Sequence, residues 1–592
     1  MARGEISNQT ADFIVIQSDV HAPELKGTEM LVKDFKRDFY DAIQHQRVLV
    51  LVAFDVDALC ASKILQYLLQ CDHIVYTIVP VSGCEDLERA FVENSEGIQH
   101  VVMINCGATI DVVEVLQPDD NICFYICDSH RPVDIHNMYN VIQVKLLMKP
   151  EDLTEVPSYD EVFRDDESEE SGEESDSSES RKKRRRFDDE AILKRQDRRK
   201  WEENRNKVLF DYTKFTSYAT SASLIMFEIA WKMSKDTNHL VWLAVIGVTD
   251  QYVHFKTPRD KYMEAVIALQ SHVSRHNHRV DGADNVLSIN CLRIAFDEEL
   301  QLLLYRHWSL FESLCHSLST ACKFKVWTLK GQKRLHEFLA EMGMPLIQCK
   351  QQFGAMDASL RTGVKAMMQE HIAKYGLTMQ DIVVPSFTAQ CGYKTRLSAT
   401  DVVLACVAVL EAVDRNKLPS DNFLSAQDIL SSYHTEAIDK AIQLAKRQLT
   451  ALVTQVQTFL DMHQIISAGP FLYVFVNEGT VDMKYFSQPQ CLTRLARFTL
   501  EAHCALSRSK RATSLPLVLG TPLLADLGAT LVIGIPPLST DDERKNFFGK
   551  AFEQAAVSTS SRIRQDNFDS HIIEMKTEDR SKFFDALISL LQ

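Results

Sequence analysis

The stretch "VLVLVAFDVDALCA", Val48 to Ala61, runs seven apolar residues into two aspartates spaced one apart, Asp55 and Asp57. Two carboxylates at the end of a buried run need a cation or a set of hydrogen-bond donors to hold them. Three further segments carry groups of the same kind: Asn105 in "MINCGA", Asp128 and His130 in "ICDSHRP", and Asp250 in "VIGVTDQ". If they converge, carboxylates and a histidine would bind Mn²⁺ or Mg²⁺, and two such ions about 3.5 to 4 Å apart activate water for attack on a phosphodiester. The competing expectation is a satisfied polar cluster, held by backbone N–H groups and helix N-termini.

These residues need elements that bring them to one place. "RVLVLVAF" is the β-branched run of a strand buried on both faces, and "DALCASKILQYLLQ" has helical spacing. "HIVYTIVPV", "HVVMIN", "NICFYICD" and "NVIQVKLL" read as strands, with "CEDLERAFVENS" and "DVVEVLQP" as helices between them. The alternation predicts an α/β fold with a parallel sheet whose functional residues end its strands. On that reading Asp55 and Asp57, Asn105, and Asp128 with His130 end three strands, and Asp250 follows a fourth.

Composition narrows the class. The 592 residues carry a formal charge of −16, with 45% hydrophobic and 25% charged residues, as in a soluble chain of several domains. No apolar run approaches the roughly 20 residues that span a bilayer, so no membrane association is expected. Net acidity argues against nonspecific coating of nucleic acid. Much of the charge is local: Glu151 to Ser180 holds fourteen acidic residues and one arginine, and Arg181 to Lys207 holds thirteen basic and six acidic. The stretch from Ser158 to Glu190 is expected to stay disordered, with a charged helix after it from Lys194 to Tyr212. The basic run Arg181, Lys182, Lys183, Arg184, Arg185 and Arg186 fits a nuclear localisation signal, a solvated linker being the alternative.

Fourteen cysteines lie in apolar segments without a C-x-x-C pair or zinc spacing, as buried thiols of a reducing compartment do. Cys123 and Cys127 are expected in a strand core, and His272, His276 and His278 at a solvated helix end. Residues 1–29 read as a disordered extension. Residues 30–150 and 208–300 read as two parts of one α/β domain around the charged insert 151–207, residues 301–460 as helical, and residues 461–592 as a smaller α/β domain.

The order and spacing of the motif residues resemble the DHH phosphoesterase superfamily, which includes the RecJ single-strand exonucleases. More closely, "INCGATIDV", "CDSHRPV", "GVTDQYV", "HWSLFESL", "GQKRLHEFLAEMG" and "ERKNFFGKAFEQAA" are similar to the cell division control protein 45 family. The resemblance runs from about Met30 to the C-terminus. It implies a RecJ-like DHH domain, an inserted helical domain and a C-terminal DHHA1-like domain. It also marks departures from the active pattern: Ala53 stands where a leading aspartate or histidine is expected, Asn105 where an aspartate is, and Ser129 in the middle of D-H-H. Asp55, Asp57, Asn105, Asp128, Ser129, His130 and Asp250 are then a vestigial motif without catalysis, metal or cofactor.

The family resemblance further implies a non-catalytic subunit of the CMG replicative helicase in the nucleus. Its partners would be the hexameric minichromosome maintenance ring, the GINS complex, other replisome components and single-stranded DNA. No G-x-x-x-x-G-K-[ST] loop is present, so ATP chemistry would belong to the ring. From composition, the candidates for DNA contact are Tyr393, Lys394 and Arg396 in "CGYKTRLS" and Arg508, Lys510 and Arg511 in "SRSKRATS", with solvated loops as the alternative. The competing functions are an active Mn²⁺-dependent exonuclease and a nuclear adaptor that never touches DNA.

Overall fold

The computed structural model describes residues 31–153, 156–164, 181–281, 292–391, 396–414, 417–432, 435–507, 510–524, 528–538 and 544–592. The N-terminal extension, most of the acidic tract, Tyr393, Lys394 and Arg508 lie outside them, as do the side chains of Arg181 to Arg186 and Lys510.

Five strands form the parallel sheet: β1 (Arg47–Ala53), β2 (Val75–Val81), β3 (His100–Ile104), β4 (Cys123–Cys127) and β5 (Val144–Leu146), in the order β2-β1-β3-β4-β5. Every residue of β1 after Arg47 is buried, as a strand covered on both faces requires. Cys127 in β4 is a fully buried thiol. Helix α1 (Val56–Cys71) crosses one face and is itself covered by α2 (Ala222–Lys232) and α3 (Asn238–Val253). Helix α3 buries every residue from Leu240 to Gln251.

Asp250 lies inside α3, not after a strand. "LVWLAVIGVT" is apolar on every side, so neither a two- nor a 3.6-residue period stands out in it, and only its length and surroundings mark it as a helix.

Two other expectations change. The charged helix starts at Arg181 and runs to Thr213, a rod about 50 Å long, and a short capped helix, Tyr159–Val162, precedes it. They dock through Trp201, whose indole donates to the Asp160 carbonyl, and Arg205, which donates to the Val162 carbonyl. The histidine-rich helix Arg259–Asp281 is not solvated at His272 and His276. His272 packs between Phe227 and Trp231, and His276 is buried against the Asp236 carboxylate at 2.8 Å.

The mainly helical middle is entered and left through an antiparallel ribbon, β6 (Leu292–Leu300) with β7 (Val383–Cys391), to which β8 (Leu397–Ser398) adds. Helix α4 (Ala399–Leu410) and the first half of α5 (Thr435–Asp461) belong to the core of the parallel-sheet domain. The second half of α5 and the helices between β6 and β7 join the core of the C-terminal domain.

That domain is a six-stranded mixed sheet of β9 (Ile466–Ser467), β10 (Leu472–Phe475), β11 (Leu517–Pro522), β12 (Ala529–Ile535), β13 (Ile563–Arg564) and β14 (Ile572–Lys576), ordered β9-β10-β11-β12-β14-β13. Its faces alternate with period two. Leu517, Leu519, Leu531 and Ile533 meet α6 (Pro489–Leu506) on one side, and Val518 and Val532 meet α7 (Phe548–Thr559) and α8 (Arg580–Leu591) on the other.

Gly247 lets α3 approach α1 and α2: a Cβ there would stand 2.5 Å from Asp57 Oδ1 and closer still to Ser223 Oγ. Gly247→Ala should therefore lower stability by about 1–3 kcal/mol through overpacking. Urea unfolding checks this, and an unchanged midpoint would contradict the packing.

Candidate functional site

Asp55, Asn105 and Asp128 each follow a strand of the parallel sheet, so its carboxyl edge gathers them as the topology dictates. Each carboxylate there is already in use. Asp55 is the N-cap of α1 and accepts the Ala58 N–H at 2.7 Å. Asp57 caps a helix more than 160 residues away: it accepts the Ala222 N–H at 2.8 Å, the Ser223 N–H at 3.0 Å and the Ser221 hydroxyl at 2.5 Å, at the start of α2. These N–H groups have no partner within the helix, and the dipole there favours an anion.

Asn105 has a left-handed backbone, φ +53°, which asparagine tolerates. Its side-chain amide donates to both oxygens of Asp55 and to Asp57 Oδ2, each at 3.3 Å, while its Oδ1 accepts the Ser129 N–H at 3.0 Å. A neutral donor thus sits between two carboxylates, where a third carboxylate would repel both. Ser129 is buried, and its carbonyl accepts the Ala219 N–H.

Asp128 accepts four bonds. The N–H groups of Gly107 and Ala108 reach Oδ2 at 3.1 and 2.9 Å, and the backbone and ring of His130 reach Oδ1 at 2.9 and 2.6 Å. Burial alone would raise this carboxyl, but the His130 charge and these donors draw it down to about 2.

The other ring nitrogen of His130 points out of the domain, 3.2 Å from Asp569 Oδ1 in the turn before β14. Tyr218 donates its hydroxyl to the same oxygen. Burial opposes the imidazolium, yet Asp128 and then Asp569 push His130 up to about 10. Burial also opposes the Lys256 ammonium, which Asp569, Asp55 and Asp250 hold above its usual value. Lys256 lies 4.8 Å from the centre of the Tyr218 ring. Asp250 faces His254 Nδ1 at 3.0 Å, one turn along α3. Asp55, the least compensated member, is raised by burial to about 7 against the pull of Lys256.

The C-terminal domain closes over this edge at several points. The Asp566 carbonyl and carboxylate accept the Cys84 and Glu85 N–H groups, capping the helix Cys84–Asn94. Thr216 and Asn546 exchange backbone hydrogen bonds at 2.7 and 2.8 Å. Glu411, at the end of α4, accepts the N–H groups of Gln490 and Cys491 at 2.6 and 3.0 Å and so caps α6. Between the domains lies a cleft of about 1240 Å³, with Asp55, Asn105 and His130 in its wall and Lys256, Arg494, Arg497 and Arg544 also lining it.

A divalent-ion centre does not fit these donors. Oxygen ligands must converge at about 2.0–2.6 Å from an ion. Among the described residues, the three His, Cys, Asp or Glu groups with ligand atoms within 4.8 Å of one another are Asp111, Asp134 and His136, away from this cluster. The oxygens of Asp57 and Asp128 face N–H and O–H donors instead.

Asp55, Asn105, Asp128 and His130 were legible from the sequence as residues at strand ends, whereas Ser82 after β2 and the partners Lys256 and Asp569 were not. Lys256 and Asp569 lie more than 300 residues apart, and no local pattern links them; the sole signal for Asp569 is the acidic pair in "QDNFDSH" before a strand. Of the loop candidates, only the side chains of Arg396 and Arg511 are among those described. Arg396 donates to Thr388 Oγ1 in the ribbon and Arg511 is exposed, and neither lines the cleft.

Two α/β domains closing over the carboxyl edge of a parallel sheet, with Asp55, Asp57, Asp128 and His130 gathered there, define a two-domain α/β protein with a buried polar cluster at the domain junction. The chain belongs to the CDC45 family, whose model matches residues 48–155 and 148–590. It is 47% identical to the human cell division control protein 45 homolog over 567 residues, 95% of this chain and 100% of that protein. It is 28% identical to the Saccharomyces cerevisiae protein over 630 residues, 92% and 95% of the two chains. The crystal structure of CDC45 from Entamoeba histolytica superposes with a TM-score of 0.67 at 23% identity, over 95% of this chain and 100% of that one. Membership makes the chain a DNA replication protein and a replication-complex component. Among the described residues no helix is long and apolar enough to cross a membrane.

The electrostatics fix a pH profile. His130, raised from 6.5 to about 10, contributes stability that is complete below pH 6.5 and lost as pH rises to about 10. Asp128, lowered from 3.8 to about 2, contributes stability present above pH 3.8 and lost as pH falls to about 2. Asp55, raised from 3.8 to about 7, subtracts stability as pH rises between those values. Asp55→Asn, which keeps the acceptor for Ala58, should therefore raise the thermal midpoint at about pH 8 and change it little at about pH 4. Calorimetry at both values checks this; a lower midpoint at the higher pH would contradict the assignment.

Proposed function

We propose that this chain is a non-catalytic subunit of the eukaryotic replicative helicase, the CMG complex. It joins the hexameric minichromosome maintenance ring together with GINS and other replisome components, and holds single-stranded DNA in the cleft between its two α/β domains. The observation that carries the non-catalytic half is the engagement of Asp57 and Asp128 by backbone and hydroxyl donors, with the Asn105 amide lying between Asp55 and Asp57. An Mn²⁺-dependent exonuclease would need those oxygens free for ions. The DNA half is supported by the cations lining the cleft, since single strands bind where positive side chains track phosphates.

ATP hydrolysis then belongs to the ring. The chain acts in the nucleus, and the run Arg181 to Arg186 at the head of the long charged helix serves import. The cluster that once served hydrolysis serves shape in this reading: His130 and Lys256 tie Asp569 of the C-terminal domain to the sheet edge, which keeps the cleft at one width.

Reconstitution tests the proposal. Unwinding of a forked DNA by purified ring, GINS and this chain, with ATP, should require the chain and should survive Asp55→Asn at close to the wild-type rate. Unwinding that is indifferent to the chain, or abolished by Asp55→Asn in a variant that folds and assembles, would contradict it.

A further inference from the structure

Away from the D-S-H residues, the cleft wall holds a group that neither the sheet-edge chemistry nor the packing explains. Phe255 follows the end of α3 with φ +59°, a left-handed conformation that a bulky aromatic residue seldom adopts and that tends to mark functional sites. Its N–H donates to the Tyr252 carbonyl at 3.2 Å, and the residue lines the cleft. Two guanidinium groups share its ring: Arg497 of α6 lies 4.9 Å from the ring centre and Arg544, just before α7, lies 5.3 Å from it. Three separate elements of the two domains thus meet at one aromatic ring.

The charge there is not balanced. Arg497 pairs with Glu501 at 2.8 Å along its own helix. Arg544 has its Nη1 buried with no hydrogen-bond partner. Burial, and next the neighbouring Arg497 charge, lower Arg544 to about 10. Arg494, one turn before Arg497 on α6, adds a further cation to the same wall. Buried guanidinium donors that face a cleft and repel one another are stabilised by an anion with several acceptor oxygens, and the planar fork suits phosphate.

We propose that Arg497 and Arg544, spaced by the Phe255 ring, form a phosphate-binding subsite for the single strand, an assignment that rests on the DNA-binding reading above. Phe255 is a positioning residue: it holds the two forks apart while leaving their N–H groups for the ligand. A phosphodiester of a strand and a free phosphate share this chemistry, and the test separates them.

The measurement is the affinity of a fluorescent oligothymidylate for the full chain across a salt series, alongside Arg544→Gln, Arg497→Gln, Arg497→Lys and Phe255→Leu. Thermal midpoints of each protein are recorded with and without inorganic phosphate. Each glutamine variant should bind about tenfold more weakly at low salt, with the slope of log affinity against log salt reduced by about 0.7, one phosphate contact on a single strand. Arg497→Lys should keep the slope, and Phe255→Leu should lose affinity with the slope unchanged. If the wild type binds and the glutamine variants bind equally well with the same slope, the subsite is overturned while the DNA-binding reading stands. If the wild type does not bind the oligonucleotide, that reading falls; phosphate stabilisation that disappears in Arg544→Gln would then support a free-phosphate site, and its absence would overturn the subsite as well.

Discussion

Buried carboxylates crowd the carboxyl edge of one parallel sheet, and something other than water must neutralise them. Asp55, Asp57, Asp128 and Asp250 are each no more than 6% exposed. In low-dielectric surroundings an unpaired charge of this kind is strongly destabilising. Protein groups face them: the N-termini of α1 and α2, the Asn105 amide, the His130 imidazolium and the Lys256 ammonium. Much of the architecture follows. Helix α2 starts where Asp57 can cap it, Gly247 is needed so that α3 can approach the same carboxylate, and the C-terminal domain supplies Asp569 to the outward face of His130.

The same solution ties dynamics to electrostatics. His130 lies between two carboxylates from different domains, so relative motion of the domains would separate charges that are no longer solvated. Caps made across the interface, by Asp566 on the helix Cys84–Asn94 and by Glu411 on α6, add backbone hydrogen bonds to that constraint.

How far this could be read in advance depended on how local the signal was. The parallel sheet was legible because β-branched apolar runs alternate with helical spacing, and the motif residues because they end those runs. Asp250 lies within the apolar helix α3 rather than after a strand, and because α3 is apolar all round no period marks which of its positions face the sheet edge. The β6–β7 ribbon was hidden for a related reason: "FDEEL" is charged where it leaves the core, and its partner strand lies some ninety residues on. Lys256, Asp569 and the arginines around Phe255 were invisible because their meaning comes from partners hundreds of residues away.

The most direct test of the proposal that this sheet edge is non-catalytic is incubation of end-labelled single-stranded DNA with Mn²⁺ and either the wild-type chain or Asp55→Ala, with binding followed in the same samples. The account predicts binding by both proteins and cleavage by neither. Cleavage by the wild type that disappears with Asp55 would contradict it, for the carboxylates would then be holding metal after all.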